Sequence, residues 1–243
     1  MMSQAEQTVL HEPVMVITGT SKGIGTGIAR YFLANGYRVA GCSRGGATIE
    51  HDRYFHSPID VSSEEQVRSW VRAVKQRYKR IDVLVCNAGH APANLLMSMT
   101  SGAVLTDLLQ VNIAGSYFVC REVSKVMVLQ RSGRIITTSS MAVGLHEEGT
   151  SAYSASKSAI VEMTKIMAKE LAPAGITCNV IAPSMLMTDA VEILGADIIE
   201  RALSKLTIKR TVTMEEVCNV IEFFAAPRSG CITGQVIHMG LVC

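Results

Sequence analysis

The chain has 243 residues, with 23 Lys and Arg against 21 Asp and Glu, a net charge of +2 and a hydrophobic fraction of 48%. That length suits one compact α/β domain, and the apolar fraction excludes a disordered chain, because burial of so much apolar surface offsets the loss of chain entropy. A charge so close to zero also argues against nucleic acid as the main ligand, since phosphate backbones are bound by strongly basic surfaces.

Short apolar runs alternate with longer amphipathic stretches along the chain. The runs predict seven strands, at Val14–Thr18, Arg38–Cys42, Tyr54–Ser57, Asp82–Cys86, Arg134–Thr138, Thr177–Ile181 and Gln235–His238. The amphipathic stretches predict helices at Ile24–Asn35, Ser63–Tyr78, Thr106–Gln130, Tyr153–Leu171, Val191–Leu206 and Met214–Ala225. This alternation predicts a doubly wound, Rossmann-type α/β fold, in which one parallel seven-stranded sheet carries helices on both faces. Residues 62–66, Ser-Ser-Glu-Glu-Gln, further predict a capping box at the start of the second helix.

The remaining composition indicates the compartment and the domain boundaries. Seven cysteines without a C-x-x-C pair favour buried free thiols in a reducing compartment, and the six histidines lack the spacing of metal ligands. Residues 1–12 are polar and do not fit a targeting peptide, and no apolar run reaches the roughly 18–20 residues that span a bilayer. We expect a cytoplasmic protein that binds neither metal, membrane nor nucleic acid, with a polar extension at residues 1–12 and a single domain at residues 13–243.

A glycine-rich turn follows the first predicted strand and leads into the first predicted helix. It reads Thr18-Gly19-Thr20-Ser21-Lys22-Gly23-Ile24-Gly25. Glycines let a backbone turn sharply and approach a pyrophosphate, while the helix N-terminus offers free N–H groups. Strand, turn and helix in this order predict a nucleotide site, and the absence of Gly-Lys-Ser/Thr excludes a Walker-type phosphate loop.

The end of the second strand indicates which dinucleotide is bound. In dinucleotide-binding folds, an acid about 20 residues past the glycine turn holds the ribose 2′-hydroxyl of NAD, but this chain has Gly41-Cys42-Ser43-Arg44 there. Arg44 can bind a 2′-phosphate through a charge-assisted fork, with Lys22 as a second cation and Ser43 as a neutral neighbour. The sequence therefore favours NADP(H); the alternative is that Arg44 is a solvated loop charge.

The spacing of Gly19, Gly23 and Gly25 resembles that of the short-chain dehydrogenase/reductase family. The family's other motifs follow in order between about Pro13 and Gly240: Asp60-Val61, Asn87-Ala88-Gly89, Asn112, Ser140, Tyr153 and Lys157. The resemblance implies that NADP(H) is bound by Gly19, Ser21, Lys22, Gly23, Ile24, Gly25, Ser43, Arg44, Asp60, Val61, Asn87, Ala88, Gly89, Tyr153, Lys157, Pro183, Leu186 and Thr188. Asp60 has a second interpretation, as a cap of the helix that follows it.

Tyr153 and Lys157 lie four residues apart on a predicted helix, which puts their Cβ atoms on one face about 5–6 Å apart. Bringing a phenol from a pKa of ~10 to neutral pH takes roughly 4 kcal/mol, and a lysine cation in a partly dry cleft favours the phenolate. The resemblance implies that Tyr153 is the general acid in carbonyl reduction and that Lys157 also holds the nicotinamide ribose.

The resemblance also implies roles for two further residues. Ser140 would donate a hydrogen bond to the substrate oxygen, and Asn112 would hold a water in a proton relay; the alternative for Asn112 is a helix kink. Because side chains alternate along an extended segment, only one of Ser139 and Ser140 can face the cleft. The interval of thirteen residues to Tyr153 favours Ser140.

Residues 184–206 carry many Met, Leu, Ile and Val side chains, which predict either an adaptable lid or core packing. This stretch and the last helix resemble 3-oxoacyl-(acyl-carrier-protein) reductases, which implies reduction of a 3-oxoacyl thioester and an acyl carrier protein as partner. Ser184 stands where the family has glycine, and Ala174 stands where a second carrier-binding cation is expected beside Arg131. The alternatives are a carbonyl reductase or dehydrogenase of a specialised secondary metabolite, sugar or other alcohol, and a nucleotide-binding scaffold without catalysis.

The apolar faces of the helices at residues 106–130 and 153–171 exceed what one face of a sheet can cover. The family pairs these helices across subunits. We therefore expect a homo-oligomer, and the resemblance implies a tetramer.

Overall fold

Seven strands form one parallel sheet in the structure, a computed structural model that describes residues 12–188, 191 and 195–243. They are β1 (Val14–Thr18), β2 (Arg38–Ser43), β3 (Tyr54–Pro58), β4 (Val83–Cys86), β5 (Gly133–Thr138), β6 (Ile176–Ala182) and β7 (Val236–His238). Their order across the sheet is β3-β2-β1-β4-β5-β6-β7, which confirms the predicted doubly wound fold. Of the predicted extension at residues 1–12, only Glu12 is described.

Helices cover both faces of this sheet. Those described are α1 (Gly23–Ala34), α2 (Glu64–Tyr78), α3 (Gly102–Leu108), α4 (Ser116–Gln130), α5 (Ala142–Leu145), α6 (Ser151–Leu171), α7 (Ala196–Ser204) and α8 (Met214–Ala225). Of the helix predicted at residues 191–206, residues 192–194 lie outside the described chain, and α7 is its described part.

The side chains of β1 alternate between two apolar layers, which is why the strand is apolar throughout. Val16 packs in one layer with Trp70 of α2 and Val123 of α4. Ile17 packs in the other layer with Phe32 of α1. A central strand buried on both faces reads as a continuous apolar run, whereas the edge strands β3 and β7 are mostly half-buried.

The long helix predicted at residues 106–130 begins earlier and contains an irregular turn. Helical structure starts at Gly102, passes through a π-helical segment at Leu109–Gly115 and continues as α4. Gly115 allows this segment to approach the chain after β3, because a Cβ there would lie 3.0 Å from a Val61 methyl group. Wide turns of this kind are frequent at functional sites.

The predicted capping box at the start of α2 is only half formed. The Ser63 hydroxyl accepts a hydrogen bond from the Gln66 N–H at 3.5 Å, but the Gln66 side chain accepts from the N–H of Asp60 instead. A complete capping box, which the sequence analysis did not identify, opens α8. There the Thr213 hydroxyl accepts from the Glu216 N–H, and the Glu216 carboxylate accepts from the Thr213 N–H.

Residues Gly102–Gln130 form a helical stretch of 29 residues with a window of mean hydropathy 1.3, which by length and composition alone could cross a membrane. The expectation that no segment is long enough is therefore corrected for this stretch. One face of it is fully buried in the core, through Val119, Val123 and Met127. These contacts make it a core helix of the fold.

Candidate active site

The residues singled out from the sequence gather at the carboxyl ends of the central strands. β1 pairs with β2 on one side and with β4 on the other, and such a switch in strand order leaves a ligand-binding crevice. Two adjoining cavities lie there: the turn cavity of about 380 Å³, lined by the glycine-rich turn, and the tyrosine cavity of about 770 Å³, lined by Tyr153. Lining residues common to both are Ile24, Asn87, Gly89, His90 and Thr188.

The glycine-rich turn and the N-terminus of α1 form one wall of the turn cavity. Lys22 is the N-cap of α1 and makes no side-chain cap hydrogen bond, so the first N–H groups of the helix are available to an anion. Gly25 lies beneath the turn, and a Cβ there would lie 2.2 Å from the carbonyl oxygen of Gly19. The turn therefore fits a phosphate group, and a side chain at Gly25 would push it apart.

Lys22, Ser43 and Arg44 all line the turn cavity, although they come from different elements. Asp60 is on the same wall and accepts hydrogen bonds from the N–H and hydroxyl of Ser62. Burial alone would raise the pKa of Asp60, but these hydrogen bonds and the charge of Arg44 bring it below its ordinary value. Arg44 is exposed, yet its charge acts on the cavity wall.

Tyr153 and Ser140 lie side by side on the wall of the tyrosine cavity. Burial raises the pKa of the Tyr153 phenol, and a hydrogen bond with the Ser140 hydroxyl offsets part of that rise. The same hydroxyl accepts from the N–H of Ala142 at 3.2 Å. The Ser139 hydroxyl instead donates to the carbonyl oxygen of Lys157 at 3.2 Å. Alternation along this segment thus leaves Ser140, and not Ser139, beside the tyrosine.

Lys157 is buried at the floor of the crevice. Its ammonium group donates to the carbonyl oxygen of Thr138 at 2.9 Å and lies 6.0 Å from the centre of the Tyr153 ring. A Cβ on Gly89 would lie 3.2 Å from Lys157 Nζ and 3.2 Å from Asn112 Oδ1. The lysine and asparagine side chains therefore meet at this glycine.

Asn112 lies in the π-helical segment and is fully buried. Its amide donates to the carbonyl oxygen of His90 at 3.0 Å and to the hydroxyl of Ser156 at 2.9 Å, and it accepts from the N–H of His90 at 2.7 Å. The irregular turn and these contacts occur together, so Asn112 interrupts the helix and also joins it to the loop after β4 and to α6.

Burial shifts the two ionisable groups in opposite directions. It raises the pKa of the Tyr153 phenol, and the Ser140 hydrogen bond offsets only part of this. Burial lowers the pKa of the Lys157 ammonium to about 8. Burial therefore opposes the shift of the tyrosine pKa toward neutrality that was expected from Lys157, and at pH 7 the phenol is neutral and the lysine is largely charged.

The residues assigned to cofactor binding line one or other cavity, apart from Gly25, which supports the turn from below. Among the histidines, His90 lines both cavities and His146 lines neither. The Ser184 hydroxyl is buried without a hydrogen-bond partner among the described residues. It lies against Gly240, where a Cβ would be 3.0 Å away.

Several polar side chains on the wall of the tyrosine cavity carried no recognisable sequence signal: Asn94, Glu147, Thr150, Arg201 and Lys205. Glu147 and Lys205 form an ion pair of 2.7 Å that joins the loop before α6 to the residue after α7. They are 58 residues apart, so only the fold brings them together.

The chain is similar to known proteins over nearly its whole length. A family model described as enoyl-(acyl carrier protein) reductase matches residues 19–240. The 3-oxoacyl-(acyl-carrier-protein) reductase FabG of Staphylococcus epidermidis is 32% identical over 234 residues, covering 92% of this chain and 96% of that protein.

Two solved structures share the fold. ElxO with NADP bound has a TM-score of 0.88 and 28% identity, over 93% of this chain and 96% of that chain. A 3-ketoacyl-(acyl-carrier-protein) reductase from Brucella melitensis complexed with NADH has a TM-score of 0.86 and 23% identity, over 93% of this chain and 96% of that chain.

Proposed function

Because the chain belongs to the short-chain dehydrogenase/reductase family of oxidoreductases, we propose that it uses NADPH to reduce a carbonyl group to a hydroxyl, with 3-oxoacyl thioesters as the substrate class. The observation that carries the proposal is the crevice itself, in which the cavity lined by Lys22 and Arg44 adjoins the cavity lined by Tyr153. The helix N-terminus beside the glycine-rich turn suits the phosphates of the cofactor. The neutral phenol suits a proton donor to the carbonyl oxygen of the substrate.

NADP(H) is preferred over NAD(H) in this proposal on three grounds. Lys22 and Arg44 both line the turn cavity, and the end of β2 lacks the acid that would hold a 2′-hydroxyl and repel a 2′-phosphate. The similar protein ElxO has a structure with NADP bound. Arg44 supplies the planar fork that suits a phosphate.

In the proposed reaction, Tyr153 is the general acid. NADPH supplies the hydride when bound. The phenol donates its proton to the carbonyl oxygen as that oxygen becomes negative, and its raised pKa keeps the proton on the ring at pH 7. Ser140 donates a hydrogen bond to the same oxygen, and the charge of Lys157 stabilises the phenolate that is left.

Asn112 completes the proposed set. Its amide fixes the loop at His90 and the helix at Ser156, so the walls of the crevice keep their separation. Its Oδ1 atom and Lys157 Nζ both lie close to Gly89. This placement suits a proton relay that returns a proton to Tyr153.

The 3-oxoacyl thioester is supported by the name of the Staphylococcus relative. Recognition of an acyl carrier protein would use Arg131, which is exposed at the end of α4, whereas Ala174 is buried and supplies no charge. A carrier-linked thioester should therefore be only modestly better than a small thioester with the same acyl group. The proposal also places the enzyme in the cytoplasm, where its buried free thiols stay reduced.

Replacing Tyr153 with Phe tests the proposal directly, because it removes the proton donor and keeps the ring. We expect the rate of NADPH oxidation to fall by about 100-fold or more, with NADPH binding retained. The measurement is NADPH absorbance with a panel of 3-oxoacyl thioesters, ketones and keto-sugars.

Tyr78→Phe is the matched control, because the Tyr78 hydroxyl has no hydrogen-bond partner in the described chain and lies on α2, outside both cavities. It should turn over like the wild type. Absence of wild-type turnover on every substrate, or full activity in Tyr153→Phe, would contradict the catalytic proposal.

A further inference from the structure

Two side chains of the edge strand β3 connect the glycine-rich turn to the residues that line the turn cavity. Tyr54 and His56 are two positions apart and so point to the same face of the strand. The Tyr54 hydroxyl is hydrogen-bonded to the Thr20 hydroxyl at 2.8 Å and to Nδ1 of His56 at 3.0 Å. Nε2 of His56 lies 2.9 Å from the carbonyl oxygen of Gly45 and 3.3 Å from the Ser43 hydroxyl.

The direction of one of these hydrogen bonds follows from chemistry. A carbonyl oxygen only accepts, so Nε2 of His56 carries a proton and donates it to Gly45. The Ser43 hydroxyl donates to the same carbonyl at 3.1 Å. The carbonyl oxygen of Gly45, the residue after Arg44, thus accepts from two donors. One donor lies on β2 and the other on β3, and neither lies on the loop that follows Gly45.

This contact holds the start of the loop that follows Arg44. A Cβ at Gly45 or Gly46 would meet nothing within 4 Å, so neither glycine is required by crowding, and two consecutive glycines raise the entropy that ordering must overcome. The far end of the loop is anchored at Thr48, whose hydroxyl is 3.3 Å from the carbonyl oxygen of Thr20. His56 and Ser43 are its anchor at the near end.

The sequence makes room for this network at Gly41. A Cβ there would lie 2.3 Å from the Tyr54 hydroxyl and 2.6 Å from the Thr20 hydroxyl. The hydrogen bond between the turn and β3 therefore passes over a glycine of β2, where a side chain would collide with both hydroxyls.

We propose that Tyr54 and His56 are positioning residues for the 2′-phosphate of the adenosine half of NADP(H), because they fix the glycine-rich turn and the Arg44 loop relative to each other. Neither residue lines the turn cavity, so they act through Ser43, Arg44 and the turn. The inference rests on the proposed use of NADP(H) and adds the residues that make the enzyme selective for it.

The test compares two ligands that differ only in the phosphate, adenosine 2′,5′-bisphosphate and adenosine 5′-monophosphate, by calorimetric titration of the full chain. The wild type should bind the bisphosphate more tightly by at least about tenfold. His56→Leu should reduce that ratio by about tenfold and leave the affinity for the monophosphate within about twofold. Tyr54→Phe, which removes one hydroxyl only, should change the ratio in the same direction.

Two further variants sharpen the result. His56→Gln keeps an N–H donor for Gly45 and should retain most of the wild-type ratio. His51→Gln is the matched control, because His51 is an exposed histidine of the same loop whose ring accepts from the N–H of Arg53, and it should behave as wild type.

The outcomes separate the inference from the function on which it rests. A wild-type preference that survives in both His56→Leu and Tyr54→Phe overturns the inference alone. Equal weakening of both ligands in these variants also overturns it, because the network would then support the turn without selecting the phosphate. A wild type that does not distinguish the two ligands contradicts the proposed use of NADP(H), and the inference fails with it.

Discussion

At the scale of single residues, the most unusual group is a lysine that water hardly reaches. Lys157 is only 6% exposed, and its ammonium donates to the carbonyl oxygen of Thr138. Burial disfavours the charged form, which is why its pKa falls from 10.5 to about 8. Holding this ammonium group charged at the buried floor of the crevice therefore has a cost, which is a lower free energy of unfolding.

That cost predicts how Lys157→Met should respond to pH. The folded pKa lies below the unfolded one, so the unfolded chain binds more protons between pH 8 and 10.5, and wild-type stability rises with pH across that window. The unfolding free energy of the variant minus that of the wild type should therefore be larger at pH 7 than at pH 10.5, by about 3 kcal/mol. Urea unfolding of both proteins at the two pH values measures this difference. A difference in unfolding free energy that does not change with pH would show that burial does not lower the pKa of Lys157.

Two glycines of α1 make a second matched comparison. In Gly25→Ala the new Cβ would meet the Gly19 carbonyl at 2.2 Å, whereas in Gly27→Ala it would meet the flexible end of Met214 at 2.4 Å. Gly25→Ala should lose cofactor affinity by about tenfold or more, and Gly27→Ala should stay within about 1 kcal/mol of wild-type stability. Cofactor titration and urea unfolding measure the two effects. Equal cofactor affinity in the two variants would contradict the close packing of the turn.

The sequence indicates which residues meet, but it indicates their protonation poorly. The four-residue spacing of Tyr153 and Lys157 correctly brings both to one cavity. The spacing does not reveal burial, which raises the pKa of Tyr153 and outweighs the Ser140 hydrogen bond. The contacts of His56 with Gly45 and Ser43 likewise carry no local sequence signal, because it is the pairing of β2 with β3 that brings this part of the two strands together.

At the scale of elements, caps and irregular turns fix where the helices begin and what they reach. α8 starts with the complete box of Thr213 and Glu216, and its carboxylate also pairs with Arg210. The hydrogen bond with Arg210, followed by the one with the Thr213 backbone, holds the pKa of Glu216 at about 2. The cap is thus fully present above the ordinary glutamate pKa and is lost only as pH falls through about 2.

Thr213→Ala should lower the unfolding free energy by about 1 kcal/mol, because it removes the N-cap acceptor of α8. Thr211→Ala, two residues earlier and outside the cap, is the control and should cost less. Urea unfolding at pH 7 compares them. Equal losses in the two variants would mean that the cap contributes nothing specific.

Regular elements follow from local sequence, and irregular ones do not. The strands were predicted to within a residue or two at each end, because buried apolar runs bounded by turns carry their own signal. The sequence offered a kink at Asn112 as an alternative but did not indicate a π-helical segment, because Asn112 contacts His90 and Ser156, which are 22 and 44 residues away. The half-formed box at Ser63 fails for a similar reason, since Gln66 finds a better donor at Asp60.

At the scale of the whole molecule, the helices on one side of the sheet expose more apolar surface than a monomer needs. The stretch Gly102–Gln130 and α6 leave large side chains partly in solvent: Leu105, Leu109, Tyr117, Leu129 and Ile166. Leu129 is 75% exposed and Ile166 is 56% exposed. Large exposed apolar side chains on neighbouring helices are typical of association surfaces.

We therefore expect a homo-oligomer through these helices. Sedimentation of the wild type at micromolar concentration should give a species larger than the monomer. Leu129→Glu and Ile166→Glu should shift the distribution toward the monomer, because a charge would be buried at the contact, whereas Lys209→Glu, on the exposed segment before α8, should not. A monomeric wild type at that concentration would contradict the prediction.

The strand order β3-β2-β1-β4 places four neighbours of the sheet within residues 14–86 of the chain. The strands that frame the turn cavity are therefore synthesised before Ser140, Tyr153 and Lys157. At about 5–20 residues per second, the ribosome needs several seconds to get from the end of β4 to Tyr153. During translation, most of the wall of the turn cavity is therefore made before Ser140, Tyr153 and Lys157, and Thr188 completes that wall after them.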